Sequence, residues 1–163
     1  MNRFLLFLTL FLIPFSKLCK AQKEGNVWYF GQNAGINFNT TPPTPLTDGQ
    51  INTREGVASI ADKNGNLLFY TEGTTVWDAD NNVMPNGFGL QGDYSSTQSS
   101  IIVPDPGNAD KYYIFTTAEF KGFRYSMVDI TLNGGKGDVI PTEKNIPLLP
   151  DDASTEKVIA TRH

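Results

Sequence analysis

Apolar positions between Glu55 and Met84 fall into four short runs separated by polar, glycine-bearing links. The runs 57–61, 67–71, 75–78 and 83–84 predict four strands. Asp62-Lys63-Asn64-Gly65, Glu72-Gly73 and Ala79-Asp80-Asn81-Asn82 are links of the residue types that accept positive φ in tight hairpins. Four strands in sequence, joined by tight turns, describe an up-and-down antiparallel sheet. Leu67-Leu68-Phe69-Tyr70 adds a further constraint. A sheet with one wet face alternates apolar and polar residues, whereas this run is apolar on both faces. Its turns and aromatic content favour a strand buried on both sides, as in blades stacked radially.

The pattern recurs downstream. The run 99–103 (SSIIV) matches 58–61, 112–116 (YYIFT) matches 67–71, 125–129 (YSMVD) matches 74–78, and 139–140 matches 83–84. Pro104-Asp105-Pro106-Gly107-Asn108 replaces the first turn. The run 156–161 (EKVIAT) predicts the first strand of a third unit. Upstream, 26–30 (NVWYF) and 34–38 (AGINF) predict two strands joined by Gly31-Gln32-Asn33. The three prolines in 40–48 predict an extended connection, and the three glycines in 86–96 an irregular loop. Helix is nearly absent; only 151–156 offers a turn. Repeated four-strand units of this length are the sequence sign of a propeller. The expected fold is therefore all-β, with antiparallel four-stranded blades of a partial β-propeller. The alternative is a β-sandwich with two similar hairpins.

The first 21 residues stand apart. Arg3, an apolar run over 4–15 and Cys19-Lys20-Ala21 predict a signal peptide cleaved before Gln22. An acylated Cys19 is the competing reading, disfavoured by Lys17 and Leu18 before it. Cys19 is the single cysteine, so no disulfide framework is expected in the exported chain. Without Arg3, Lys17 and Lys20 the 13 basic residues fall to 10 against 17 acidic, a formal net charge of −7. That balance argues against a nucleic-acid partner or an anionic-membrane surface, and no second apolar run is long enough for membrane insertion. Two units and a single strand do not close a ring, so 22–163 reads as an incomplete domain: about two blades plus the first strand of a third. The remaining blades are expected in a longer chain.

The strings NVWYFGQNAGINF, REGVASIADKNGNLLFYTEGTTVWDADNNVMPNG, STQSSIIVPDPGNADKYYIFT and RYSMVDITLNGGKGDVI span nearly all of the predicted exported chain. Together with STEKVIATRH they resemble the N-terminal region of large secreted or surface proteins of Bacteroidota. Those proteins end in a type IX secretion, gliding-motility-associated sorting domain, and their N-terminal region is propeller-like, of the WD40/YVTN type. The resemblance implies a secreted or outer-cell-surface location. It brings no set of catalytic residues with it.

Candidate chemistry is sparse. Asp78-Ala79-Asp80-Asn81-Asn82 places oxygens at alternate positions, as a calcium loop does. An EF-hand loop, however, wants Gly at 83 and Glu at 89, where Val83 and Gly89 stand. It reads as an Asp/Asn-rich turn, as do Asp105, Asn108 and Asp110, and no metal site or cofactor is expected. TEGTTVW, 71–77, lacks the Asp and Gly of a sialidase Asp-box. The hydroxyl run 95–100 has no positioned base, and the one histidine is His163. Catalytic residues are therefore not assigned. Arg54-Glu55 and Arg124-Tyr125 are the candidate ligand-binding pairs for a propeller mouth, with surface ion pairing as the plain alternative. Trp77 reads as core, or as a sugar-stacking face. The expected function is a non-catalytic exported propeller module that binds a surface glycan or a protein. A propeller-type glycosidase or lyase fragment and the structural scaffold of an adhesin are the alternatives.

Overall fold

The computed structural model describes residues 22–119, 122–150 and 154–161. The predicted signal peptide, the first half of the 151–156 turn and His163 lie outside them. The described chain is all-β, in three antiparallel sheets. The first holds β1 (Val27–Phe30), β2 (Ala34–Asn37) and β3 (Thr44–Leu46) in that order. The second is the predicted unit: β4 (Ala58–Ala61), β5 (Leu67–Thr71), β6 (Thr75–Asp78) and β7 (Val83–Phe88). The third is its repeat: β8 (Ser100–Pro104), β9 (Lys111–Ala118), β10 (Gly122–Asp129) and β11 (Asp138–Val139). A further strand, β12 (Ile146–Leu149), also pairs with β10. No sheet closes on itself.

Several boundaries differ from the sequence reading. The proline-rich connection contains a strand, β3, whose Pro45 lies opposite Ile36 on an edge where its missing N–H costs no ladder bond. The same rule carries edge strand β7 through Pro85 to Phe88, beyond the expected stop at Met84. The fourth strand of the third sheet is interrupted. Strand β11 pairs with Val128 and Asp129, while β12 pairs with Phe123, Arg124 and Tyr125. Between them, Lys144 donates to the carbonyls of Asn86 and Phe88, and Asn145 donates to that of Gly89 at 2.9 Å. The insertion thus covers the open edge of β7, an edge that would otherwise pair with another chain. The run 156–161 forms no strand. Among the described residues, it is joined to another segment by a backbone bond from Gln98 N–H to the Glu156 carbonyl, 2.9 Å. Leu132–Gly135 is a short helical turn with Asn133 and Gly134 in the left-handed region.

The sheets stack in chain order, and the second lies between the others. One of its faces puts Phe69, Val76 and Met84 against Tyr112, Ile114 and Val128 of the third sheet. The other puts Tyr70 and Trp77 against Val27 and Tyr29 of the first. Tyr29, Tyr70 and Trp77 form a continuous stack, with centroids 4.5 and 5.4 Å apart. Its polar ends are satisfied. The Tyr29 hydroxyl donates to Asp48 at 2.9 Å, the Tyr70 hydroxyl donates to Asn81 at 2.8 Å, and Asn81 donates in turn to Asp48 at 3.2 Å.

Phe69, Tyr70 and Ile114 are fully buried, as the apolar runs predict. Tyr113 and Phe115 are only half-buried, which corrects the expectation that the repeat, like the first unit, is buried on both faces; Ile102 is half-buried too, but on the covered face beside Ile114, because β8 is an edge strand. The third sheet has a neighbour on one face alone, so β9 buries alternate residues.

Phe69→Ala and Ile114→Ala should each cost about 2–5 kcal/mol in denaturant unfolding, and Phe115→Ala distinctly less, because its ring keeps one side in water. Burial pushes the Tyr70 phenol up to about 12, and Tyr29 is raised further by burial and by its bond to Asp48. Below pH 10 both the folded and unfolded chains keep these protons, so stability is unaffected. Between pH 10 and about 12 the unfolded chain releases them while the folded chain cannot, and stability should fall. Tyrosinate absorbance during alkaline titration should show two phenols ionising only with unfolding.

Candidate functional site

Strands β1, β4 and β8 are each the first strand of their sheet and each an edge. They lie side by side. The Tyr29 amide donates to the Ser59 hydroxyl at 3.0 Å, and the Ala61 amide to the Glu24 carbonyl at 2.8 Å. A groove of about 710 Å³ runs across all three strands. One wall is the outer face of the first sheet, with Trp28 52% exposed and Phe30 and Phe38 each 39% exposed. Ile101 and Ile102 stand on the far side.

Where β4 and β8 begin, the groove adjoins a smaller, polar crevice of about 340 Å³. Glu55, Thr97, Gln98 and Ser100 line it, with Val158 at its rim. Backbone contacts bring its two lips together, since the Gly56 amide donates to the Ser96 carbonyl at 3.0 Å. A Cβ at position 56 would lie 2.2 Å from the Ser99 nitrogen, so only glycine permits this approach. Ser100 is 6% exposed, and its hydroxyl and the facing Thr116 hydroxyl find no protein partner. Unsatisfied buried hydroxyls are uncommon, and these two provide hydrogen-bonding capacity behind the crevice.

The sequence-selected residues distribute unevenly around this feature. Glu55 lines the crevice, and Arg54 beside it is exposed. Trp77 is half-buried, its ring stacked on Tyr70 between two sheets. Arg124 lies in the middle of β10 and donates from Nε to Gln91 of the loop between the second and third sheets. Tyr125 points to the opposite face, where its ring meets Tyr113 edge-on at 5.5 Å. Arg124 and Tyr125 do not line the groove or the crevice. The crevice residues missed from sequence are Thr97, Gln98 and Ser100. Their only advance signal was the hydroxyl-rich run 95–100, because what joins them to Glu55 is packing between sheets.

The Asp/Asn-rich turns use their oxygens internally. Asp78 Oδ1 accepts the amides of Asp80 and Asn82, both at 2.9 Å, while Asp80 pairs with Lys136 at 2.6 Å. Asp105 caps the amide of Gly107 at 2.8 Å, and Asn108 that of Asp110 at 3.0 Å. Among the described residues, no three His, Cys, Asp or Glu side chains are gathered to hold a metal ion. Nor is any helix among them long and apolar enough to cross a membrane.

Compared with known proteins, the chain matches no protein family, no curated protein and no solved structure.

Asp78→Ala should lower stability by about 2 kcal/mol, through loss of two bonds to a buried charged acceptor. Adding calcium to the unaltered chain should leave its melting temperature unchanged. A calcium-dependent rise abolished by Asp78→Ala would show a cation site at this turn instead.

Proposed function

We propose that this chain is an exported, non-catalytic β-propeller module of a cell-surface or secreted protein, and that it binds a glycan through the crevice at Glu55. The propeller reading is supported by the order of the stack. Each sheet follows its predecessor in the chain, and each offers its first strand to one groove, as blades do around an axis. The resemblance of the strings above to surface-protein propellers of Bacteroidota points the same way and suggests the outer surface as location.

The observation that carries ligand binding is the crevice itself. It joins an exposed carboxylate, an amide and hydroxyls at the mouth of an apolar groove. A glycan presents neighbouring hydroxyls that need both donors and acceptors at short range. Glu55 accepts, Gln98 does both, and the serine and threonine hydroxyls rotate to suit. The acidic balance of the chain disfavours anionic ligands, so the fitting glycan is neutral or basic. Glu55 is the one carboxylate among the residues lining the crevice, and glycoside hydrolysis uses a pair, so the crevice is suited to binding and not to bond cleavage.

A glycan array probed with the purified chain should show neutral or amino-sugar ligands. Glu55→Gln and Gln98→Ala should each weaken the best of them about tenfold or more, the scale of one lost charged or amide hydrogen bond. Array silence, or binding indifferent to both substitutions, would overturn the assignment. Glycan hydrolysis lost in Glu55→Gln would replace the binding reading with a glycosidase.

A further inference from the structure

We propose that the segment 154–158 is a strap that forms one wall of the Glu55 crevice, and that Thr117 is the positioning residue that fastens it. Side chains along β9 alternate between the face turned to the second sheet and the face turned away from it. Tyr113 and Phe115, on the latter, are half-buried. The alternation breaks at Thr117. It shares the face of Phe115, yet it is 2% exposed, and its hydroxyl donates to the carbonyl of Thr155. Contacts on either side run the same way along the strap. The Ser154 hydroxyl donates to the Ala118 carbonyl at 3.1 Å, and the Gln98 amide donates to the Glu156 carbonyl at 2.9 Å. Three successive residues are thus bonded in turn to the end of β9 and to the entry of β8. Two residues further on, Val158 lines the crevice.

Hydrogen bonds, and not a core, hold this strap. Ser154, Glu156 and Val158 turn partly inward, while Thr155 and Lys157 are exposed, and Val158 is the one apolar side chain among the five. A segment with so little buried apolar area opens locally at a small cost in free energy. The bond from Thr117 therefore matters more here than one bond does inside a sheet. The strap acts on the crevice at two points. It supplies Val158 as an aliphatic wall, and it holds the backbone of Gln98, whose side chain lines the crevice with Glu55. Loosening it displaces a wall and releases a binding residue together. The consequence for ligands rests on the glycan reading of the crevice, whereas the fastening does not.

Amide hydrogen exchange of the full chain, resolved by residue with NMR, tests the fastening. Thr117→Val removes the hydroxyl and keeps the branched shape, and it should speed exchange of the Gln98 amide about tenfold. The Gly56 amide, bonded to Ser96 on the other lip, should exchange as before. Thr117→Ser returns the hydroxyl and should restore slow exchange at Gln98. Ser154→Ala alters the strap and no strand, should speed Gln98 in the same way, and replaces Thr117→Val if circular dichroism shows the latter unfolded. Unchanged exchange at Gln98 in the folded variant, or equal acceleration at Gln98 and Gly56, would overturn the inference. Chitosan trisaccharide, a basic glycan of the class assigned to the crevice, should slow Gln98 exchange in the unaltered chain. It should bind about fivefold more weakly to Thr117→Val, the scale of one lost hydrogen bond coupled to the site. Equal binding to both chains, with Gln98 loosened in the variant, would overturn the strap's part in the crevice. Absence of binding to the unaltered chain counts against the glycan assignment alone, and the exchange result still decides the fastening.

Discussion

The structure depends on the two-sided burial of one strand, Leu67–Thr71. Phe69 and Tyr70 project to opposite faces of the second sheet, and both are fully buried. Phe69 is held edge-on to Tyr112 at 5.5 Å, which ties the second sheet to the third. Tyr70 lies between Tyr29 and Trp77, which ties it to the first. Large aromatic rings bury much apolar area with few rotamers to lose, so two adjacent residues can organise two interfaces. Tyr70 can be central only because its hydroxyl reaches Asn81 and accepts from the Gln50 amide at 3.1 Å. Removing that polar satisfaction would leave a buried hydroxyl without a partner.

The sheets hold their registers through a recurrent turn. Asp78 and Asp129 each end a strand, Asp62 and Asp105 each directly follow one, and each of the four accepts the amide two residues on, at 2.7–2.9 Å. Asp62 and Asp105 stand at the same place in the second and third sheets, as do Asp78 and Asp129. Asp side chains satisfy the backbone locally at a chain reversal, which removes the cost of an unpaired amide there. The repetition of this device shows that the two sheets are built alike, beyond their shared apolar pattern.

The same stacking that creates the core also creates the site. The crevice exists because Gly56 lets the entry to β4 approach the entry to β8. The groove beside it exists because first strands, and not later ones, face each other across the stack. Site and fold therefore respond to the same constraint, and a change in sheet spacing would reshape both.

Strand positions, turn chemistry and the repeat were legible in the sequence, because each depends on residues close together in the chain. Hydrophobic runs of four to five residues, bounded by Asp, Asn and Gly, specify strands and hairpins locally. The burial of Phe69 and Tyr70 was legible for the same reason. Edge strands were not: Pro45 and Pro85 exclude a central strand but not an edge, and which strand is an edge is decided by neighbours. YYIF and LLFY look alike in sequence, yet one is half-buried and the other has a fully buried pair, because only the second sheet has a sheet on either side. Glu55 could be singled out from sequence, but its company of Thr97, Gln98 and Ser100 could not. Those residues meet across more than forty positions of chain, and only the packing of one sheet on the next sets that distance.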